Sequence, residues 1–208
     1  MSQRTFRIIS SDYGIVAGLQ QLARHCAYNA PGVTLVVEPM TPDVVRDPEN
    51  ALRRVDGLML PHGVIHDFPH VDVTADRWVC VMSMDNRQVG DRLDVKDLSH
   101  LPWVAVFTTS FGDTPLANQM RAQAVTPRDQ VIVNSFSAVP AMVAGTDRIA
   151  FMQERLVVPL VGAWNLRVVD PPFAVPALVE SLWWHPRCDN DPGHRWLRDT
   201  IAAVNAIG

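Results

Sequence analysis

The chain has 208 residues, of which 48% are hydrophobic and 19% charged, and its formal net charge is −4. This composition is that of a folded globular protein and argues against intrinsic disorder. Free-standing nucleic-acid-binding domains concentrate positive charge on one surface, whereas the arginines here are scattered and Lys96 is the one lysine. We therefore predict that the chain has no DNA-binding surface of its own.

The cysteines and the apolar segments indicate the compartment. Cys26, Cys80 and Cys188 are far apart and show no CxxC spacing, which favours reduced, mostly buried thiols over disulfides or zinc ligands. No basic segment precedes an apolar stretch at the N-terminus, so no signal peptide is predicted. No apolar run reaches the length of about 20 residues that spans a bilayer. We expect a cytoplasmic protein without membrane contact.

The first part of the chain alternates between strand and helix patterns. Ser11 or Asp12 can cap a helix after the first strand, and Asp47 can cap a second, short helix that runs to about residue 55. This alternation predicts parallel strands with right-handed crossovers. No glycine-rich nucleotide-binding signature follows the first strand. The predicted strands are residues 5–10, 33–38 and 57–60.

A second group of elements lies in the middle of the chain. We predict a polar connection over residues 91–102, a helix from about residue 113 to 123, and a short helix over residues 154–161. A further helix is capped by Ser135 or Ser137 and ends before Gly145, with proline 140 tolerated in its first turn. The predicted strands are residues 77–83, 103–107, 130–134, 148–152 and 166–170.

The C-terminal part consists of an extended apolar segment, residues 178–185, and a last helix that starts at residues 191–193. Neither has an obvious sheet of its own, so we expect both to return to the first group. The predicted fold class is α/β, with two lobes joined by two chain crossings around a cleft. One lobe comprises residues 1–71 plus 174–208, and the other comprises residues 72–173.

Four segments carry a family resemblance, in the family's order and spacing. They are FRIISSDY with the following helix and APGV (6–33), DRWVCVMSMDNRQVGDRL (76–93), SFSAVPAMVAGTDRIAFMQERL (135–156) and ESLWWHPRCDNDPGHRWLR (180–198). Together they resemble the effector-binding domain of LysR-type transcriptional regulators. The branch is that of the nodulation regulators and the regulators of naphthalene and nitrotoluene degradation. The third segment and the tail are the most specific part.

The resemblance implies two Rossmann-like lobes joined by two crossover strands, which is the periplasmic-binding-protein type 2 fold. It further implies a bacterial regulator whose small-molecule effector binds in the interlobe cleft and alters oligomer geometry and transcription. Phe111, Phe136 and the relatives that the chain resembles together suggest an aromatic or phenolic effector. The domain would form an antiparallel homodimer, and the full-length protein a tetramer. DNA would be contacted only through a winged helix-turn-helix that is absent from this chain.

Ligands of open α/β folds bind beyond the carboxyl ends of the strands, where helix N-termini present free N–H groups. Three polar or aromatic clusters follow predicted strands in this way, and a histidine follows the third strand of the first group. The predicted ligand-binding residues are Ser10, Ser11, Asp12, Tyr13, His62, Thr108, Thr109, Phe111, Ser135, Phe136 and Val139.

Each cluster also has a simpler interpretation. The first could be an ordinary helix cap, and the Thr108 cluster a polar loop. Phe136 could be a core residue and His62 a solvated surface residue. Asp12 would disfavour an anionic ligand, so a neutral phenol, or a protonated or well-hydrated acid, fits better.

Other kinds of site find less support. His62, His66 and His70 are four residues apart, which on a helix would form a metal-binding face. Pro61, Gly63 and Pro69 argue against a helix there, so no metal site is expected. The chain has no nucleophile elbow or activated cysteine, and we predict neither catalysis nor a cofactor. The alternative function is a solute-binding protein for a small aromatic or polar molecule.

Overall fold

The computed structural model describes residues 3–107 and 115–205. Its contacts divide the chain into two compact units. Unit 1 consists of Met1–Ala75 and Val179–Gly208, and unit 2 consists of Asp76–Leu178. The chain therefore passes from one unit to the other twice, and the second passage brings the C-terminal segment back to unit 1.

The sheet of unit 1 has the strand order β2-β1-β3-β10-β4. Strand β1 pairs in parallel with β2 and β3, as the sequence predicted, and β10 pairs antiparallel to β3. Strand β4 was not predicted. Its alternating polar and apolar residues directly follow a segment rich in proline and histidine, which made the whole region resemble a loop. The strands are β1 (Arg4–Ser10), β2 (Val33–Pro39), β3 (Gly57–Pro61), β4 (His70–Asp76) and β10 (Leu178–Trp183).

Two of the helix caps expected in unit 1 are confirmed. The Ser11 hydroxyl accepts a hydrogen bond from the Gly14 amide at 3.1 Å, and the Asp47 carboxylate accepts one from the Asn50 amide at 3.1 Å. The first helix widens into a π-helical turn over Ile15–Leu19. The helices are α1 (Asp12–Gly14), α2 (Gln20–Asn29), α3 (Pro42–Arg46), α4 (Pro48–Arg54) and α9 (Pro192–Val204).

The core of unit 1 joins residues from both ends of the chain. Phe6 and Ile8 of β1 pack in one cluster with Leu182 of β10 and with Leu197 and Ile201 of α9. All five side chains are buried. Strand β10 lies inside the sheet, between β3 and β4, so residues after 178 complete a sheet that residues before 76 begin.

The sheet of unit 2 has the strand order β7-β6-β8-β5-β9. Strand β6 is parallel to β7 and β8, whereas β5 is antiparallel to β8 and β9. The strands are β5 (Trp78–Ser83), β6 (Pro102–Val106), β7 (Arg128–Val133), β8 (Ile149–Gln153) and β9 (Leu166–Val169). The helices are α5 (Val95–His100), α6 (Pro115–Ala122), α7 (Val139–Val143) and α8 (Glu154–Val157).

Helix α5 corrects the prediction of a polar connection over residues 91–102. Asp94 and Asp97 form a reciprocal capping box at its start, and Leu98 on its inner side is buried. Two caps and one apolar contact thus stabilise a helix too short to show a clear period. Pro140 lies in the first turn of α7, as predicted, and Gly145 follows that helix with a φ of +66°. Within the described ranges, no helix is long and apolar enough to cross a membrane.

Candidate functional site

In unit 1, the carboxyl ends of β1 and β3 lie at the same edge of the sheet because the two strands are parallel. Ser10 pairs in register with Met59, so Pro61 and His62 follow just beyond the Ser10–Ser11 turn. The Ser10 hydroxyl donates to the Ser11 carbonyl at 2.9 Å, and Ser11 caps α1. The simpler interpretation of Ser11 as a helix cap is therefore confirmed, while a ligand role for it stays a prediction.

The four residues of this turn differ in exposure. Ser10 and Tyr13 are 3% and 2% exposed, whereas Ser11 and Asp12 are half-buried. The Tyr13 ring therefore forms part of the packing of unit 1. The polar groups that this turn presents to solvent are those of Ser11 and Asp12.

Glu180 is a residue of this edge that the sequence analysis did not select. It pairs with Pro61 across β10 and β3 and is 1% exposed. A Cβ atom on Gly14 would lie 2.5 Å from the Ser10 hydroxyl and 2.9 Å from Glu180 Oε1, so the bare glycine lets α1 approach both groups. An acid within a mostly apolar strand was the signal that could have identified it.

Burial sets the charge of Glu180. Loss of hydration raises the pKa of its carboxyl to about 8, because the ionised form is disfavoured away from water. Its Oε1 atom has no hydrogen-bond partner within the described part of the chain. At neutral pH the group is therefore a neutral carboxylic acid, able to donate as well as accept a hydrogen bond.

His62 lies at the same edge and is hydrogen-bonded within unit 1. Its Nε2 atom is 2.7 Å from Asp72 Oδ1 on β4, and its ring contacts those of His70 and Trp183. The prediction of a solvated surface histidine is thus incomplete, because a charged partner holds the ring in place.

In unit 2, the corresponding edge is formed by the ends of β6 and β7, which are parallel and pair Val106 with Val133. The Phe107 amide extends this pairing by donating to the Val133 carbonyl at 2.8 Å. Phe107 adopts a φ of +62°, a left-handed conformation that bulky residues rarely take and that is often found at functional sites. The predicted site residues Thr108, Thr109 and Phe111 lie outside the described residues.

Aromatic rings gather at this edge of unit 2. The ring centroid of Phe136 is 5.9 Å from that of Phe107, edge to face, and 6.4 Å from that of Trp78. Phe136 and Ser135 are half-buried, whereas Val139 is fully buried and belongs to the packing of the unit. Phe136 is therefore neither a pure core residue nor a free surface residue.

Two buried polar atoms stand beside these rings. The indole Nε1 of Trp78 and the Oε1 of Gln153 have no hydrogen-bond partner among the described residues, and the two residues face each other across β5 and β8. A buried donor and acceptor without partners are uncommon in proteins and need an explanation. Trp78 and Gln153 are thus candidate site residues that the sequence analysis had not selected.

Two α/β units, with the chain passing between them twice, define a periplasmic-binding-protein type 2 fold. The chain belongs to the LysR substrate binding domain family, whose model matches residues 2–206. The resemblance derived from the four sequence segments is therefore confirmed.

Individual proteins agree with this assignment. The chain is 30% identical to nodulation protein D 2 of Rhizobium tropici over 206 residues, covering 96% of this chain and 63% of that relative. The regulatory domain of MexT, a transcriptional activator in Pseudomonas aeruginosa, is 25% identical with a TM-score of 0.75, covering 98% of both chains. The effector-binding domain of QuiR in complex with shikimate shares the fold at 14% identity, with a TM-score of 0.78 and 98% coverage of both chains.

Proposed function

We propose that this chain is the small-molecule-sensing domain of a transcriptional regulator, with an aromatic or phenolic effector. The observation that carries the proposal is the aromatic edge of unit 2, where half-buried Phe136 lies beside the Trp78 indole, whose Nε1 has no hydrogen-bond partner among the described residues. A flat ligand ring can stack on the half-buried Phe136 ring of this surface. Membership of the LysR family and the shikimate complex of QuiR support an effector of this size.

The charges of unit 1 favour a neutral head group. Glu180 is protonated at neutral pH and adds no negative charge to this edge, whereas the Asp12 carboxylate would repel an anion. The Ser11 hydroxyl is available at the same edge. We therefore expect phenols to bind more tightly than the corresponding carboxylates.

Regulation would follow from a ligand that prefers one arrangement of the protein over another. We propose a homodimer of this domain and a tetramer of the longer regulator. A separate domain would contact DNA, and the protein would be located in the cytoplasm. Ile15 and Val16 are 40% and 41% exposed on the first helix and suit such an interface. Light scattering of a Val16→Asp variant tests this, since monomers are expected.

We propose α6 as the second helix of this dimer interface. Leu116 on α6 is buried, while Met120 is only half-buried. Replacing Leu116 with aspartate would place a charge in the packing of unit 2, so loss of a dimer in that variant could simply mean unfolding. Met120 is the position to change on α6.

The alternative is a solute-binding protein, which has the same fold. Regulators and transport proteins differ in the outcome of ligand binding rather than in its chemistry. A reporter gene controlled by the full-length protein distinguishes them, because only a regulator changes expression when the ligand is added. Turnover of the bound ligand would instead indicate an enzyme, which we do not propose.

The experiment for sensing is a thermal-shift screen against phenols, flavonoids, aromatic acids, amino acids and sugars. A ligand at 100 times its dissociation constant adds about 2.7 kcal/mol of stability, which is several degrees in melting temperature. We expect a phenolic compound to produce the shift and Phe136→Ala to abolish it. Phe136→Leu, which keeps the apolar bulk, should retain part of the affinity, and Ser99→Ala, an exposed position, should change nothing.

Ser11→Ala tests the edge of unit 1 by itself, and weaker ligand binding by this variant would support a contact there. If no aromatic class raises the melting temperature, or if Phe136→Ala binds as tightly as the parent, the proposal of an aromatic effector at this edge is wrong.

A further inference from the structure

We propose that His62, His70 and Asp72 form a binding site for a divalent transition-metal ion, with zinc as the best match. The three residues come from two elements of unit 1, since His62 follows β3 while His70 and Asp72 open β4. This site is separate from the proposed effector contacts of Ser11 and Phe136, and the proposal does not depend on them.

The ligand atoms are already close together. One nitrogen or oxygen from each residue lies within 4.8 Å of the other two. His62 Nε2 is 2.7 Å from Asp72 Oδ1, and His70 Nε2 is 4.0 Å from the same oxygen. Tetrahedral zinc, with bonds of about 2.0–2.2 Å, sets its ligand atoms roughly 3.3–3.5 Å apart. The two observed separations lie on either side of this value. Small side-chain rotations would therefore bring the three ligand atoms to the distances that zinc requires.

The tautomer of His70 suits metal binding. Its Nδ1 atom is 3.3 Å from the Phe68 carbonyl, which can only accept a hydrogen bond. The hydrogen of the neutral ring therefore belongs on Nδ1, and the lone pair of Nε2 is directed to the other side of the ring, where Asp72 lies. A backbone carbonyl that accepts from the second ring nitrogen is the usual support of a metal-binding histidine.

Neighbouring residues hold the other groups in place. The Ser181 hydroxyl donates to Asp72 Oδ1 at 2.8 Å. The Trp183 ring lies 4.1 Å from the His70 ring, and its own Nε1 is fixed by the Leu60 carbonyl at 2.8 Å. Such contacts reduce the rotamer freedom that metal binding would otherwise have to remove.

The electrostatics of Asp72 agree with a cation at this place. The Ser181 hydroxyl donates to Asp72 Oδ1 at 2.8 Å and His62 Nε2 lies 2.7 Å from the same oxygen, so both contacts stabilise the ionised carboxylate. The group is therefore an anion at neutral pH. Zinc would replace the proton between His62 and Asp72, and the carboxylate would offset one of the two positive charges of the ion.

The ligand types select the metal. Two imidazoles and a single carboxylate suit zinc, copper or nickel, whereas calcium and magnesium require mostly oxygen ligands. All three side chains are partly exposed, so water can complete the coordination. A bound metal would join the end of β3 to the start of β4 and hold the two ends of loop 63–69 together.

The spacing of His62, His66 and His70 predicts a metal site only on a helix, so none was expected here. The structure confirms that residues 62–70 are not helical. The two histidines meet instead because the loop folds back to β4, which begins at His70. His66, which has the same spacing to both, is exposed and takes no part in the cluster.

The experiment is titration of the whole tag-free chain with Zn²⁺ in competition with a chromophoric chelator. We expect one zinc per chain and an affinity that falls as the pH is lowered, because imidazole must lose its proton to bind. His70→Gln and Asp72→Asn should each weaken binding at least tenfold, while His66→Gln and Cys188→Ser should match the parent. Circular dichroism of each variant checks that the fold is retained.

A second readout uses Co²⁺ in place of zinc. Visible absorption bands of tetrahedral cobalt should appear with the parent and with His66→Gln, and should be absent with His62→Gln/His70→Gln. The proposal is overturned if the chain binds no stoichiometric zinc at neutral pH. It is also overturned if His70→Gln binds as tightly as the parent or if Cys188→Ser abolishes binding.

Discussion

Glu180 shows how the surroundings of one residue decide its chemistry. In water its carboxyl would be ionised at neutral pH, but in β10 it is fully buried next to Ser10 and Gly14 and its pKa rises to about 8. An acid that stays protonated can serve as a hydrogen-bond donor. The same burial makes the stability of unit 1 depend on pH.

We predict that the free energy of unfolding falls as the pH rises from about 4.5 towards about 8. In this window the folded protein keeps the Glu180 proton while the unfolded chain loses it, so each pH unit removes up to about 1.4 kcal/mol. Glu180→Gln should remove this slope. Urea denaturation of both proteins between pH 5 and pH 9 measures it.

Glu49→Gln, at an exposed position of α4, is the control and should leave the slope unchanged. Equal pH dependence in the parent and in Glu180→Gln would mean that Glu180 is ionised in the folded protein.

Sequence reasoning at the residue scale succeeded where the interactions are local. Ser11 and Asp47 cap their helices through amides three residues further on, and this spacing can be read from the sequence. His62 and His70 were noticed but not joined, because their partner Asp72 becomes a neighbour only when β3 and the loop after it fold against β4. The interaction partners of Trp78 and Gln153 also depend on strand pairing.

At the scale of elements, the N-terminus of α9 is stabilised by a single carboxylate. Asp191 accepts hydrogen bonds from the amides of Gly193 and His194 at 2.8 and 3.2 Å, and Arg4 of β1 donates to it at 2.7 Å. The ion pair and these amides hold the pKa of Asp191 below its usual value. One side chain thus caps the helix and attaches it to the first strand.

We expect Asp191→Ala to lower the free energy of unfolding by about 1–2 kcal/mol, because the helix loses its cap. Asp191→Asn retains a good capping group and loses only the charge, and a half-exposed ion pair contributes less than about 1 kcal/mol. The free energy of unfolding should therefore fall less in Asp191→Asn than in Asp191→Ala. Chemical denaturation of the two variants measures the difference, and an equal loss in both would assign the whole effect to the ion pair.

The helices that could not be predicted from the sequence are those too short to show a repeating pattern of apolar residues. Helix α3 has a single buried residue, Val44, and α5 also has one, Leu98. One inward residue gives no repeat to detect, and packing decides whether such a segment becomes helical. The strands of both units were predicted more successfully, because continuous apolar runs are conspicuous in the sequence.

At the scale of the whole molecule, the two units differ in continuity. Unit 2 is one continuous stretch, Asp76–Leu178, whereas unit 1 is assembled from both ends of the chain. Strand β10 lies inside the sheet of unit 1 and its Leu182 is fully buried. Unit 1 therefore cannot be complete before its last residues are present.

We predict that a fragment of residues 76–178 folds on its own and that a fragment of residues 1–75 does not. Without β10 and α9, the shorter fragment exposes the apolar surfaces of β1, β3 and β4 and loses a strand from within its sheet. Adding a peptide of residues 179–208 should restore structure. Circular dichroism and amide dispersion in NMR spectra report the outcome, and a stable fold of residues 1–75 alone would contradict it.

The sequence by itself determined the fold class and the family, predicted the Asp47 cap, and limited the cap of the first helix to Ser11 or Asp12. These features depend on the periodicity of apolar residues, on hydrogen bonds that span three residues and on motifs that are continuous in the sequence. Only the tertiary structure brought together Glu180 with Ser10 and Gly14, Phe136 with Trp78, and His62 with His70 and Asp72. Their burial, protonation and spacing depend on strand pairing and loop closure between distant segments, and no local pattern encodes these.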